Sequence, residues 1–374
     1  MGQSLVEVLK GSTTSGYATG VSLHSHTWHS REALAFLPGW MDSVPVLSGL
    51  FRRELRRYER RHGRSLDFAQ ACWRPPLMPL DVWESERAQI ADRLALAPLV
   101  SITDHDSMEA PAELQARTLP VRAPSSVEWT VPYRGSIFHV GVHNIPTDLV
   151  SSFAPALAAY TARPADDRLA ELLSFLHEFA GTLIVLNHPL WDGDVNNGQN
   201  RFALADLLDH HRTWIHALEV NGYRRWSENQ RLLDVHERWR LPLISGGDRH
   251  GLTPNAVLNL TRAGSFEEFV DEIRVQRRSH IVVMPDYLDH ATREVGALSE
   301  ILGSDSSLRP GHRHWSQRLF IECDDGSERP LVQEWDGGVP WWIRGFIGTL
   351  RLAGSQMVRP VIRAALAGGQ FRIF

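Results

Sequence analysis

Short apolar runs, most of them ending in polar or ionisable residues, constrain the fold of this chain more than any other feature of its sequence. Runs of this length are typical of buried β-strands. Helical patterns at residues 166–179, 202–211 and 227–239 separate several of them. Strands that alternate with helices build βαβ units, so the pattern predicts an α/β fold with a parallel sheet closed into a barrel. Seven strands are predicted, at residues 20–23, 99–103, 122–128, 137–142, 182–186, 215–220 and 243–245.

Two regions interrupt this alternation. Residues 31–98 separate the first two strands and contain a basic helical stretch, a Pro-rich loop and a second helix, so we expect an insertion that covers the C-terminal ends of the strands. The second region is residues 285–374, whose last part, residues 341–374, carries five arginines and no acidic residue. We expect this part to pack on the barrel or to form a dimer contact, with an anionic membrane surface as the alternative. The predicted division is a barrel with its insertion in residues 1–284 and a partly helical, basic extension in residues 285–374.

Composition limits the class of protein. The formal net charge of -5 gives no general attraction to nucleic acid, although a small molecule or a nucleotide remains a reasonable substrate. Two cysteines, Cys72 and Cys323, make neither a disulfide framework nor a CxxC zinc site. The sequence has no apolar stretch of 18 residues and no basic leader followed by an apolar run. A cytoplasmic protein without a transmembrane segment is therefore expected.

Histidines and carboxylates gather at the ends of six predicted strands. His24 and His26 are two residues apart on a strand, which puts both imidazoles on one side and allows them to chelate one ion. Nitrogen and carboxylate ligands without thiolates suit zinc, manganese or iron, and one carboxylate can bridge two ions. The sequence therefore predicts two or three divalent metal ions at these strand ends. The other candidate ligands are His105, Glu128, His139, His143, His188, Asp248 and His250.

In order and type, these motifs resemble those of the PHP (polymerase and histidinol phosphatase) superfamily, over roughly residues 20–251. The HxH motif resembles His24 and His26, the TDH motif Thr103-Asp104-His105, and the xHP motif Asn187-His188-Pro189. The closing GSDxH motif resembles the stretch from Gly247 to His250. The resemblance implies a distorted (β/α)7 TIM-like barrel that holds two or three metal ions and hydrolyses phosphate esters.

The resemblance also implies a role for each ligand. His24, His26, Glu128 and Asp248 would surround the first metal, and Glu128 and His188 the second, while His105 and His250 would hold the third. The second metal also needs a histidine from the strand at residues 137–142. His139 is preferred there, because its flanking residues resemble one branch of the superfamily, but Gly141-Val142-His143 fits another branch and His143 stays open.

The sequence departs from the superfamily at two places. Many members carry an Asp or His seven or eight residues after the first histidine of the HxH motif, where this chain has Arg31 and Glu32. Either Glu32 supplies the third metal's carboxylate, or Arg31 acts there as a fixed cation. Arg249 replaces the small residue usual between Asp248 and His250. Both arginines could bind a phosphate or carboxylate, and a structural ion pair is the alternative.

Three functions follow from these motifs. The first is a phosphoesterase, acting on a phosphomonoester or nucleotide end, in which a metal-bridging hydroxide attacks phosphorus and Asp248 or His250 relays a proton to the leaving group. The second is a hydrolase of a non-phosphate ester, amide or carbamate on the same centre. The third is a non-catalytic metal-binding scaffold, against which the nearly complete ligand set argues.

Overall fold

The computed structural model describes residues 3–35, 37–42, 45–117, 122–191, 199–288, 290–303, 314–322, 327–335, 338–355 and 358. These residues form an α/β structure, as predicted. Its strands are β1 (Gln3–Val8), β2 (Thr19–Leu23), β3 (Glu32–Ala33), β4 (Ala71–Trp73), β5 (Ala97–Ser101), β6 (Val127–Tyr133), β7 (Ser136–His143), β8 (Leu183–Asn187), β9 (Ala217–Asn221), β10 (Leu243–Gly246), β11 (Val257–Thr261), β12 (Arg278–Val283), β13 (Leu319–Glu322) and β14 (Glu328–Pro330).

The helices surround the strands and fill most of the intervening segments. They are α1 (Leu37–Asp42), α2 (Pro45–His62), α3 (Pro79–Gln89), α4 (Glu109–Gln115), α5 (Val150–Ala162), α6 (Asp166–Glu178), α7 (Gln199–His211), α8 (Trp226–Trp239), α9 (Phe266–Arg274), α10 (His290–Gly303) and α11 (Trp341–Gly354). Within the described residues, none of the helices combines the length and the apolar character needed to span a bilayer.

The strands lie in two five-stranded sheets and one four-stranded sheet, and none of the three closes into a barrel. The first sheet has the order β1-β12-β11-β2-β5, and the second has the order β10-β9-β8-β7-β6. Single β-bridges join the two larger sheets at two places, between Ser25 and Arg249 and between His105 and Glu128. The closed barrel predicted from the alternation of strands and helices is therefore not seen.

The predicted parallel arrangement holds only in part. β2 and β5 are parallel, as are β8, β9 and β10, but β7 runs antiparallel to both β6 and β8. The reason is the connection between β6 and β7, which consists of Arg134 and Gly135, both with positive φ. A two-residue turn of this kind makes a hairpin and leaves no room for a crossover helix.

Most predicted strands match observed ones within a few residues, but the sequence patterns missed half of the strands found in the described residues. The run at residues 122–128 was placed too early, since β6 begins at Val127, after Pro124, which has no backbone N–H to donate to a strand. The strands β1, β11 and β12 were not predicted, although they build most of the first sheet.

The insertion and the C-terminal extension meet in the third sheet, whose order is β14-β13-β4-β3. β3 and β4 belong to the insertion, whereas β13 and β14 belong to the extension. Trp342 of α11 is buried in the same small core as Phe51 of α2 and Phe68. The described part of the extension therefore packs on the insertion, while residues 359–374, with three of the five predicted basic side chains, lie outside the described residues.

Candidate metal centre

Apart from His143, the structure brings the predicted ligands together in one largely buried cluster, from six strands and, for Glu32, from β3. His24 and His26 follow β2, His105 follows β5, and Glu128 and His139 lie on β6 and β7. His188 follows β8, and Asp248 and His250 follow β10. Their donor atoms form four overlapping groups, and within each group the atoms lie within 4.8 Å of one another. The groups are His26 with Glu32, His105 and His250; His24 with His26 and Asp248; His24 with Glu128 and His188; and His105 with Glu128 and His139.

Glu128 lies at the centre of the cluster, and its two carboxylate oxygens face different histidines. Oε1 is 3.2 Å from Nε2 of His188 and 3.4 Å from Nδ1 of His139. Oε2 is 2.9 Å from Nε2 of His24 and 3.2 Å from Nε2 of His26. Among the described residues, Oε2 is buried and accepts no hydrogen bond. A buried carboxylate oxygen surrounded by imidazole nitrogens without a hydrogen bond fits a metal-bridging ligand.

Three of the clustered residues have left-handed backbone conformations, which few residues other than glycine adopt. The φ angles are 62° at His24, 25° at His188 and 52° at Asp248. Each residue lies one or two positions beyond the end of a buried strand, where the chain leaves the sheet. The amide of Asp248 donates to the carbonyl of His24 at 2.8 Å, which holds two of these turns together. Such conformations cost about 1–3 kcal/mol each and are typical of functional sites.

Glu219 on β9 belongs to the cluster although sequence reasoning missed it. Its Oε1 accepts from Nδ1 of His24 at 2.5 Å, while Oε2 accepts from the amide of His188 at 2.8 Å and from Nδ2 of Asn221 at 2.9 Å. A carboxylate that holds one nitrogen of a histidine fixes its tautomer and turns the other nitrogen toward a metal. The signal available in the sequence was a glutamate in the middle of the apolar run of β9.

The glycine pair before Asp248 leaves room for two buried polar side chains. A Cβ at Gly246 would lie 1.5 Å from Oε1 of Glu219, and a Cβ at Gly247 would lie 1.7 Å from the side chain of Asn255. Asn255 donates to the hydroxyl of Ser25 and to the carbonyl of Leu23. The two glycines are therefore required by the hydrogen bonds that support the segment containing His24 and His26.

Charge within the cluster is balanced between histidines and carboxylates. Burial opposes protonation of His24, but the carboxylates of Glu128, Glu219 and Asp248 hold its pKa well above the usual value. Burial likewise opposes ionisation of Glu128, yet the neighbouring histidines hold the pKa of its carboxyl well below the usual value. The cluster thus stabilises negative carboxylates only while cationic partners surround them.

Glu32, rather than Arg31, faces the cluster. Its Oε1 is 3.2 Å from Nε2 of His250, and its Oε2 is 3.4 Å from Nε2 of His105. Ser30 supports this carboxylate by donating to Oε1 at 2.6 Å. The Arg31 guanidinium is instead half-exposed and paired with acidic residues of the C-terminal extension. Of the two alternatives, the placement therefore favours Glu32 as the ligand.

Arg249 is buried and fully engaged. Nη1 lies 2.7 Å from Oε1 of Glu86, a buried residue of α3, while Nε and Nη2 donate to the carbonyls of Gly251 and Leu252. This ion pair joins the insertion to the closing motif. The geometry favours the structural ion pair over a substrate contact.

His143 lies away from the four metal-ligand groups. It is four residues after His139 on β7, which separates the two residues by about 13 Å along an extended strand. Nδ1 of His143 lies 2.8 Å from the hydroxyl of Ser101, and burial lowers the pKa of His143 to about 3. Of the two histidines left open, the structure brings only His139 into the cluster.

Arg224 is a cation beside the cluster that sequence reasoning did not single out. Its Nη2 is 3.7 Å from Oδ2 of Asp248, and its guanidinium lies 4.9 Å above the ring of Trp191. The Trp191 ring is 5.6 Å from the rings of both His139 and His188. Among the described residues, Nε of Arg224 is buried without a hydrogen-bond partner. A cation and a flat apolar surface therefore flank the cluster.

Comparison with solved structures finds neighbours of low sequence identity. No protein-family model matches the sequence, and no curated protein matches it. An amidohydrolase from Chromobacterium violaceum aligns at 18% identity over 47% of this chain and 83% of its own, with a TM-score of 0.31. PsfC from Pseudomonas syringae aligns at 16% over 55% and 85%, with a TM-score of 0.38. A protein described as a metal-dependent phosphoesterase from Bifidobacterium adolescentis aligns at 18% over 55% and 92%, with a TM-score of 0.30. Similarity this low leaves the function to be argued from the chain's own side chains.

Proposed function

We propose that this protein is a PHP-type metal-dependent hydrolase that cleaves phosphate esters. The observation that carries the proposal is the buried Glu128 carboxylate, whose two oxygens face separate sets of histidines. Structural ion pairs alone rarely account for six imidazoles around a few carboxylates, because the free energy lost by burying so many polar groups exceeds the free energy gained from pairing them. Metal ions would offset that cost, and nitrogen and oxygen donors suit zinc, manganese or iron.

Each metal position has a set of side chains, and Glu128 belongs to two of these sets. His24, His26, Glu128 and Asp248 would hold the first ion. Glu128, His139 and His188 would hold the second ion. Glu32, His105 and His250 would hold a third ion, with His26 close to it. Glu219 would orient His24 from behind.

The proposal includes a distorted ring formed by the seven strands around the cluster. β2 neighbours β5 in the first sheet, and β6 to β10 follow one another in the second. The Ser25–Arg249 bridge links the end of β2 to the end of β10, and the His105–Glu128 bridge links β5 to β6. One bridge is formed by two proposed ligands and the other lies next to His24, His26 and Asp248, and both support a ring that is joined at its C-terminal rim.

Divalent ions bound in such a cluster supply Lewis acidity, which activates water and stabilises negative charge on a phosphoryl oxygen. The remaining tasks fall to the protein. Arg224 would bind and orient the anionic group of the substrate, because its guanidinium lies next to Asp248 and retains an unpaired buried N–H. Trp191 provides a flat apolar surface beside it. With ions in the first two positions only, His250, at the partly exposed edge of the cluster, would be free to transfer a proton to the leaving group.

The cation at Arg224 is also the reason to prefer a phosphate ester over a neutral ester, amide or carbamate. The Arg224 side chain is partly buried and its Nε is buried without a hydrogen-bond partner among the described residues, so an anionic substrate would stabilise it more than a neutral one would.

The test is to measure metal content and hydrolysis together. The wild-type protein, purified after expression with Mn²⁺, Zn²⁺ or Fe²⁺, should contain at least about two ions per chain and hydrolyse phosphomonoesters faster than aryl esters. Glu128→Gln should lose bound metal and activity, because an amide cannot bridge two cations. Glu272→Gln, which removes a half-buried carboxylate of α9 bonded to Thr261, is the matched control and should keep both. Metal content below one ion per chain, or hydrolysis confined to aryl esters, would contradict the proposal.

A further inference from the structure

We infer that the C-terminal extension positions Glu32, a proposed ligand of the third metal, because β13 and β14 support the segment that carries this residue. The inference rests on the proposed function and deepens it. The first two metal positions use side chains from the two large sheets alone, whereas the third also uses Glu32 of β3. β3 belongs to the small sheet that the insertion shares with the extension.

The first support is the sheet itself. β3 has two residues, and they pair with β4 through Glu32 with Trp73 and Ala33 with Cys72. So short a strand has no stability of its own. β4 has three residues, and its other edge pairs with Leu319, Phe320 and Ile321 of β13. The backbone position of Glu32 therefore depends on β13 through β4.

The second support is a group of four charges at the end of the β3–β4 pair that lies next to Glu32. Nη2 of Arg31 is 2.8 Å from Oε2 of Glu322, and Nε of Arg31 is 2.8 Å from Oε1 of Glu328. Glu328 also pairs with Arg74, the residue after β4, at 2.6 Å. Each pair is partly exposed and weak alone, but Glu328 joins the residue before β3 to the residue after β4.

The third support is an apolar contact with the loop between His26 and Glu32. Phe320 of β13 is buried, and its ring lies 6.0 Å from that of Trp28 in this loop. The Arg74 guanidinium lies 5.3 Å from the Trp28 ring and 5.2 Å from the Phe320 ring. The extension therefore contacts the ligand-bearing segment directly at Trp28 and Arg31, before Glu32, and supports β3 itself through β4, although none of its own described residues belongs to the metal-ligand groups.

A change in β13 or β14 should consequently weaken the third ion and leave the other two in place. Outer residues that orient metal ligands typically alter metal affinity by about 10- to 100-fold. We expect that loss for the third ion in Glu328→Gln and in Phe320→Ala. Glu32→Gln should remove the same ion directly. None of these three changes touches His24, Glu128 or His188.

The experiment is a titration of Mn²⁺ into the metal-free, full-length protein, followed by calorimetry and elemental analysis, with circular dichroism to verify folding. Glu171→Gln, in a surface pair with Arg168, is the control for Glu328→Gln. Phe153→Ala, in a core away from the insertion, is the control for Phe320→Ala. Both controls should bind Mn²⁺ as the wild type does.

The inference is supported if the wild type binds three ions and only the affinity for the third is lower in Glu328→Gln and Phe320→Ala. Unchanged affinities in both variants would overturn it, and so would the loss of all ions in folded variants. A wild type that binds two ions would overturn this inference while the proposed function stands. A wild type that binds none would overturn both.

Discussion

Replacing Glu219 by glutamine tests whether this carboxylate orients His24 for a metal. The carboxylate accepts from three buried donors, which are Nδ1 of His24, the amide of His188 and Nδ2 of Asn221. Glutamine has nearly the same shape but only one acceptor oxygen, and its amide nitrogen donates. If the amide oxygen faces His24, the NH₂ group points at the donors of His188 and Asn221. In the opposite rotamer, the NH₂ group points at the donor of His24.

At least one buried donor therefore loses its acceptor in Glu219→Gln. An unsatisfied buried donor costs about 1–3 kcal/mol, which corresponds to a factor of about 5 to 150 in an equilibrium constant. The donor that loses its acceptor belongs to His24 or His188, which are both proposed metal ligands. We therefore expect this cost to appear as a decrease in metal affinity of about 10- to 100-fold. Affinity at the third metal position, whose proposed ligands Glu219 does not contact, should change much less.

The assay is competition for Mn²⁺ between the protein and a chelator of known affinity. The same measurement on Glu272→Gln controls for the loss of one negative charge, since this residue lies on α9 and accepts from Thr261. An affinity of Glu219→Gln within about threefold of wild type, well below the expected effect, would refute the role assigned to Glu219.

Three further predictions concern other residues. Gly246→Ala should destabilise the fold by about 1–3 kcal/mol or more in urea unfolding and weaken metal binding, because its Cβ would overlap the Glu219 carboxylate. Arg224→Gln should raise KM for a phosphomonoester by about 10-fold or more, at unchanged metal content, whereas Arg231→Gln on the exposed side of α8 should not. Burial lowers the pKa of His216 to about 2, below its usual 6.5, so the unfolded chain takes up the proton first as the pH falls. This group should then lower the free energy of unfolding by up to ~1.4 kcal/mol for each pH unit below pH 6.5. His216→Asn keeps an acceptor for the backbone amide that donates to His216, so its free energy of unfolding in urea should differ less between pH 7 and pH 5.

The proximity of the clustered histidines follows from local sequence patterns. An apolar run that ends at His24, His105 or His188 predicts both a strand and the edge where the side chain emerges. Since neighbouring strands place their ends at a shared edge, side chains far apart in sequence could be expected to meet. The α/β class followed from the same runs.

Other parts of the site depend on contacts that no local pattern reveals. Glu219 reads as a polar interruption of an apolar strand until the position of His24 is known. Arg31 and Arg249 looked like substrate-binding cations because their partners, Glu328 and Glu86, lie in segments whose packing is not visible in the sequence. The closed parallel sheet was predicted because the short Arg134-Gly135 turn was not recognised as a hairpin.

The pairing of β1 with β12 has a consequence for how the protein is made. Gln3 pairs with Arg278, and Val21 of β2 pairs with Asn259 of β11. β1 and β2 therefore leave the ribosome long before β11 and β12 are synthesised, and the edges that pair with these later strands stay unpaired until then. Folding that depends on such distant pairs is slow, because the entropy of closing long loops is lost before the contacts form. Chaperones that shield nascent strands should therefore matter more for the yield of this protein than for one built from local hairpins.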